Sequence, residues 1–162
     1  MREYTTISKE LTERYRQAIN NPAFFSGANG IRITELSPER TVGVLTASEH
    51  SRNPRGLVHG GCLATLADTV AGSVLVCRGW MVVTLDFSMQ YLKAASGGAV
   101  TCTATPRKLG RTICVCEATL TDESGDDVAI GTFTFFVQQR LEEAEMLALV
   151  GQIEQDGGAS QR

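Results

Sequence analysis

Asn53-Pro54-Arg55-Gly56-Leu57-Val58-His59-Gly60-Gly61 runs directly into Cys62-Leu63-Ala64-Thr65-Leu66-Ala67-Asp68. The first nine residues read as a glycine-rich loop. The next residues open a long, almost wholly apolar helix, expected over about 60–78, with Gly79 suited to its C-cap. A helix N-terminus presents free backbone N–H groups and the positive end of the dipole. Glycine there lets a carbonyl approach the backbone closely. Asp68 is the only acidic residue between Gly60 and Leu85. A carboxylate on a greasy helix is costly to bury unless it has a task or a partner. The pattern points to an oxyanion site at Gly60 or Gly61 and a general base at Asp68.

Thr65, Asp68, Thr69, Gly72 and Ser73 fall at i, i+3, i+4, i+7 and i+8, one small and polar stripe on one helix face. The bland alternative for Asp68 is a hydrogen bond to neighbouring backbone. The stripe and the glycine loop together favour catalysis, with Thr65 and Thr69 as substrate contacts. Gly60 and Asp68 are separated by about 12 Å of helix. An oxyanion donor and an attacking group must both lie near ~3 Å from one carbonyl. One chain cannot supply both, so the spacing predicts a homodimer at least, with two antiparallel copies of the helix. His59 has a competing role as an anchor of the loop. Cys62 reads as core packing beside Leu63 and Leu66 rather than as a nucleophile.

Outward from this segment, residues 5–20 pattern as a helix with Thr6 or Ser8 as N-cap, stopped by Asn20-Asn21-Pro22. Phe24 and Phe25 are expected in a loop. Ile31, Ile33 and Leu36 begin a strand, 37–40 turns, and 41–47 returns. After the helix, Val83, Leu85, Phe87, Met89 and Tyr91 alternate with Thr84, Asp86, Ser88 and Gln90, predicting one dry and one wetter face. Strands over 100–105, ended by Pro106, then 112–120 and 128–137 follow in hairpin spacing. Residues 140–151 suit an amphipathic helix, and 152–162 a frayed tail. The expected fold is α+β: a curved antiparallel sheet of about six strands wrapped around a long central helix. Three stretches are expected: an N-terminal helix and loop (1–27), the main domain (28–138) and a C-terminal helix with its tail (139–162).

The 162 residues are 43% hydrophobic and 20% charged, enough for one globular core. A net charge of -3 argues against a nucleic-acid partner. The first 20 residues carry charges throughout, so no secretory leader is expected. The run 62–76 is short for a membrane span and contains Asp68. Five cysteines without a Cys-x-x-Cys pair suggest reduced thiols in a cytoplasmic protein, and two histidines are too few to suggest a metal site.

The Asn-x-x-Gly-x-x-His-Gly-Gly loop, Leu66-Ala67-Asp68 and the strand ending Tyr91-Leu92-Lys93-Ala94-Ala95 resemble the hotdog-fold thioesterases, in particular the phenylacetic-acid-degradation (PaaI-like) type. Leu109-Gly110-Arg111-Thr112 and Ala129-Ile130-Gly131-Thr132-Phe133 also fit. The resemblance implies acyl-CoA hydrolysis without a cofactor. It implies that Asp68 orients or deprotonates water, or attacks the thioester itself. It places the backbone N–H of Gly60 or Gly61 on the carbonyl, Asn53 and His59 along the site, and Thr84 as an assisting hydroxyl. Arg107, Lys108 and Arg111 become candidates for the coenzyme A phosphates, against the plain reading of solvated turn charges. Dimers pairing into tetramers are also implied. Leu92-Lys93-Ala94-Ala95 departs from a Leu-Arg-Pro-Ala pattern, so no arginine role is carried over there. The competing functions are a non-catalytic acyl-CoA or acyl-carrier binding module and a hotdog dehydratase.

Overall fold

A computed structural model describes residues 6–159. Two helices, α1 (Lys9–Ile19) and the short α2 (Phe25–Ala28), precede strands β1 (Ile31–Leu36) and β2 (Thr41–Thr46). The central helix α3 (Gly60–Val76) follows, then β3 (Trp80–Tyr91), β4 (Ala99–Leu109), β5 (Ile113–Asp122), β6 (Asp127–Arg140) and α4 (Glu143–Ala159). The strands form one antiparallel sheet in the order β1-β2-β4-β5-β6-β3. Its inner face wraps α3. This is the hotdog arrangement expected from the sequence.

The wrap follows from the composition of α3. Leu66, Ala67, Val70, Ala71, Val74 and Leu75 are fully buried, on most sides of the helix. Such a helix must be surrounded, and each large side chain contributes roughly 1.5–3 kcal/mol by leaving water. Close packing needs Gly43 on β2, where a Cβ would come within 2.6 Å of Val70 Cγ2. The helix ends at Val76, two residues earlier than expected. Arg78 and Gly79 donate N–H bonds to Leu75 and Val76 in a tightened last turn, and Gly79 reverses the chain at φ +70°.

Several boundaries differ from expectation for physical reasons. Pro106 does not end β4; a register shift between Pro106 and Lys108 accommodates the missing N–H, and pairing continues to Leu109. Phe25 lies in α2 rather than in a loop. The expected dry face of β3 is not dry within one chain. Val83, Leu85, Phe87 and Tyr91 are 42%, 56%, 46% and 52% exposed. β3 is an edge strand, and register shifts at Met81/Val82 and Thr84/Asp86 twist it away from the core.

The tail is also not frayed through 152–159. It continues α4, where Met146 and Val150 pack with Ile7, Leu11 and Val76. Residue 5 of the expected first helix and residues 160–162 of the expected tail lie outside the described residues. α1 starts at Lys9, capped by Ser8, whose Oγ accepts from Leu11 N.

α1 is locked to the sheet through Asn20. Its side chain donates to Ile33 O at 2.8 Å and accepts from Ile33 N at 2.7 Å, at a position 9% exposed. These bonds serve the backbone beside the irregularity between Ile33 and Glu35. Asn20→Ala leaves the Ile33 N–H without that partner, while Arg16 still reaches the carbonyl. The expected loss is about 1–3 kcal/mol, read as a lower urea midpoint at unchanged m-value. An unchanged midpoint would show that this bond contributes nothing net.

Candidate active site

The loop before α3 is held by local hydrogen bonds that its sequence makes possible. Asn53 Oδ1 accepts from the N–H groups of Arg55 (2.9 Å) and Leu57 (3.2 Å), an Asx turn. Arg52 donates to the carbonyls of Gly56, Ser96 and Gly97 and so ties the loop to the segment after β3. Val58 N donates to Ala95 O and His59 N to Ser51 O, both at 2.8 Å. Asn53 and His59 therefore have structural partners in this chain.

His59 is the N-cap of α3. Its Nδ1 accepts from Gly61 N at 2.9 Å, so the neutral ring carries its proton on Nε2. This separates the two candidate oxyanion donors. The Gly61 N–H is engaged by His59, whereas no described residue takes the Gly60 N–H, which as the first helical residue lacks an intrahelical partner. The Gly60 carbonyl in turn accepts from Tyr91 Oη at 3.0 Å. Tyr91 thus pins the helix terminus to the end of β3. Sequence reasoning placed Tyr91 only on a sheet face; its position at the end of the alternation is the one signal available, and it does not reveal that the phenol reaches α3. The role of Arg52 was likewise not read.

Asp68 lies two turns further along α3. It is half-buried in the single chain, not fully buried as its apolar neighbours suggested. Thr84 Oγ1 donates to Asp68 Oδ1 at 2.8 Å. The hydroxyl fixes the carboxylate's rotation and occupies one oxygen, leaving the other for water or substrate. Two cavities of about 430 Å³ each meet at this pair. One contains Thr65 and Phe87, the other Thr69, Gly72 and Phe135. Thr65 Oγ1 donates to Gly61 O.

Gly60 and Asn53 line a different cavity, shared with Tyr91 and Lys93. The candidate residues therefore fall into two groups within one chain: Asp68, Thr84, Thr65 and Thr69 in one, and Gly60 and Asn53 in the other. Arg107, Lys108 and Arg111 line neither cavity at Asp68. Arg107 and Lys108 sit within β4 rather than in a turn, and Arg107 Nε lies 3.2 Å from Glu117 Oε2, both side chains exposed.

Other chemistries find little support in the side chains. Cys77, Cys102, Cys114 and Cys116 are buried, and burial pushes the thiols of Cys77, Cys102 and Cys116 up to about 12. That removes thiolate character. Cys62 packs against the main core. Among the described residues no cluster of three or more His, Cys, Asp or Glu is arranged to hold a metal. No described helix is long and apolar enough to cross a membrane.

Comparison with known proteins bears on this geometry. The thioesterase superfamily pattern matches residues 55–129, from the glycine loop into β6. Mouse acyl-coenzyme A thioesterase 13 is 27% identical over 134 residues, covering 80% of this chain and 96% of that protein. A thioesterase from Haemophilus influenzae superposes with a TM-score of 0.73 at 27% identity, over 86% of this chain and 96% of its own. A hypothetical thioesterase from Streptococcus pneumoniae, solved with coenzyme A, is 34% identical with a TM-score of 0.65, over 68% of this chain and 91% of its own. Two mutant structures of the hypothetical thioesterase from that species carry alanine for an aspartate and for a threonine sixteen residues apart in its chain. Asp68 and Thr84 are also sixteen residues apart. By fold, by motif and by these likenesses, the chain belongs to the thioesterase superfamily.

Proposed function

We propose that this protein is an acyl-CoA thioesterase of the phenylacetic-acid-degradation type, acting as a homodimer, with Asp68 as its essential carboxylate. The observation that carries the reading is the Thr84–Asp68 hydrogen bond at the junction of two cavities. The bound coenzyme A of the S. pneumoniae relative supports the substrate class, and the His59-Gly60-Gly61 loop followed by Asp68 supports the branch. Five free thiols suit a reducing compartment, and we place the protein in the cytoplasm.

The chemistry follows from the two groups of residues. A second copy brings its Gly60 N–H to the Asp68 of the first, because about 12 Å separates the two positions along one helix. The thioester carbonyl oxygen accepts from that N–H, and the N-terminal dipole favours the charge it gains. Asp68, oriented by Thr84, takes a proton from water through its second oxygen. The water oxygen bonds to the carbonyl carbon. The tetrahedral adduct then collapses, the C–S bond breaks, and the departing thiolate receives the proton held by Asp68. Thr65 and Thr69 border the reacting group, and Asn53 and His59 hold the loop that presents Gly60. Arg107, Lys108 and Arg111 are assigned to the coenzyme A phosphates at the surface.

Purified protein incubated with acyl-CoAs and a thiol reagent tests the reading. Release of free thiol is the expected result. Saturable binding without release would instead identify a binding module. Hydration of an enoyl-CoA without thiol release would identify a dehydratase.

A further inference from the structure

The more apolar of the two cavities at Asp68 does not end within the family core. Its far wall is built from both ends of the chain: Tyr15 and Ile19 from α1, Phe24 before α2, and Ile153 from α4. These residues lie outside the stretch 55–129 that matches the superfamily. The near wall is the stripe on α3, from Asp68 through Gly72 to Val76.

The two terminal helices are fastened to each other and to the end of α3. Arg14 makes a forked pair with Glu154, Nε to Oε1 at 2.8 Å and NH2 to Oε2 at 2.6 Å. Ser8 N donates to Glu143 Oε2 at 3.0 Å. Ile7, Leu11, Met146 and Val150 are buried between them and Val76. Ile7 N donates to Cys77 O, and Leu141 N to Gly79 O at 2.7 Å. α4 also approaches the 20–22 corner closely, since a Cβ on Gly157 would lie 2.4 Å from Asn21 Nδ2. The wall is a packed element rather than a loose flap.

Resting on the acyl-CoA reading above, we propose that α1 and α4 form a terminal cap that bounds the far end of the acyl pocket and sets the length of acyl group this enzyme accepts, with Ile153 and Tyr15 as the stop. The pocket is polar at Asp68 and Thr84, where the thioester sits, carries the small hydroxyls of Thr69 and Ser73 along one side, and ends on the apolar Ile19, Phe24, Val76 and Ile153. From Asp68 to Val76 it follows about 12 Å of helix, room for an extended chain of roughly eight to ten carbons before the cap. The substrate class is therefore a medium-length, unbranched apolar acyl group. A volume of about 430 Å³ suits such an occupant.

The test reads the ratio of kcat/KM for dodecanoyl-CoA to that for hexanoyl-CoA. Ile153→Ala opens the far wall and raises the ratio about 10-fold or more, since each methylene in an apolar pocket is worth ~10-fold at least. Ile153→Trp shortens the pocket and lowers the ratio about as much. Gly72→Leu provides a variant independent of the cap. A Cβ there meets only the Phe135 ring, Cε1 at 3.4 Å and Cζ at 3.8 Å, and leucine adds helix propensity, so the fold is retained while the pocket fills. It too lowers the ratio. Opposite shifts in the two Ile153 variants support the cap. Thioester hydrolysis with an unmoved ratio in all three folded variants overturns the cap and leaves the thioesterase reading standing. A uniform loss at every chain length places the pantetheine arm in this cavity and also overturns it. Wild-type protein that hydrolyses no acyl-CoA overturns both.

Discussion

Asp68→Ala lowers acyl-CoA turnover by ~100-fold or more, the scale of losing a positioned general base, while the protein stays folded. Retention of the fold is expected because alanine is the best helix former and the site is only half-buried. Asp68→Asn keeps the shape and the Thr84 contact but cannot take a proton, so it falls as far. Thr84→Ala frees the carboxylate to rotate and costs about 10-fold, with Thr84→Ser restoring most of the activity, because serine keeps the donor. A merely structural threonine would give no rescue by serine and would lower the melting temperature instead. Near-normal turnover in Asp68→Ala, with circular dichroism unchanged, would sink the mechanism.

The second large effect is gained by mixing two inactive proteins. Gly60→Val places a branched side chain against the Tyr91 ring, whose nearest atom would lie 3.4 Å from the new Cβ. The ring is half exposed and can yield, so the fold survives while the thioester is displaced from the N–H. Mixing this chain with an Asp68→Ala chain, with subunit exchange, yields mixed dimers. In each, one site carries both defects and the other carries neither. Half of the dimers are mixed at equal input, so recovered activity is about a quarter of wild type by symmetry. Exchange is verified by mass spectrometry of the intact dimers. No recovery after proven exchange would mean that each chain builds its own site. The exposed apolar face of β3, with Val83, Leu85 and Phe87, supports the shared arrangement, since a long apolar edge strand calls for a cover.

Much of the core was legible because it is written locally. The strand over 83–91, though not its expected dry face, the turn at 37–40 and the glycine loop each act within a few residues. The glycine loop opens α3 where expected, and the stripe from Asp68 to Ser73 lines a cavity. The errors were of another kind. Pro106 breaks a strand by local rules, but the β5 partner tolerates it through a shifted register. The polar, glycine-containing 152–159 has weak helix propensity alone, yet Arg14 of α1 pairs with Glu154, and Asn21, just beyond α1, packs closely against Gly157.

By itself the sequence determined the central helix, the glycine-rich entry to it, the sheet that must surround it and the single carboxylate on its polar stripe. Those are consequences of periodicity, helix-end chemistry and the cost of burying charge, all of which operate over one or two turns. Only the tertiary structure distinguished the N–H groups of Gly60 and Gly61, by turning His59 Nδ1 onto that of Gly61. It likewise reached across from β3 to hold Asp68 with Thr84 and Gly60 with Tyr91, and it brought residues from opposite ends of the chain to the wall of one cavity. Each of these rests on groups distant in sequence whose meeting depends on how the sheet curves and which face of a helix docks, and no local pattern carries that geometry.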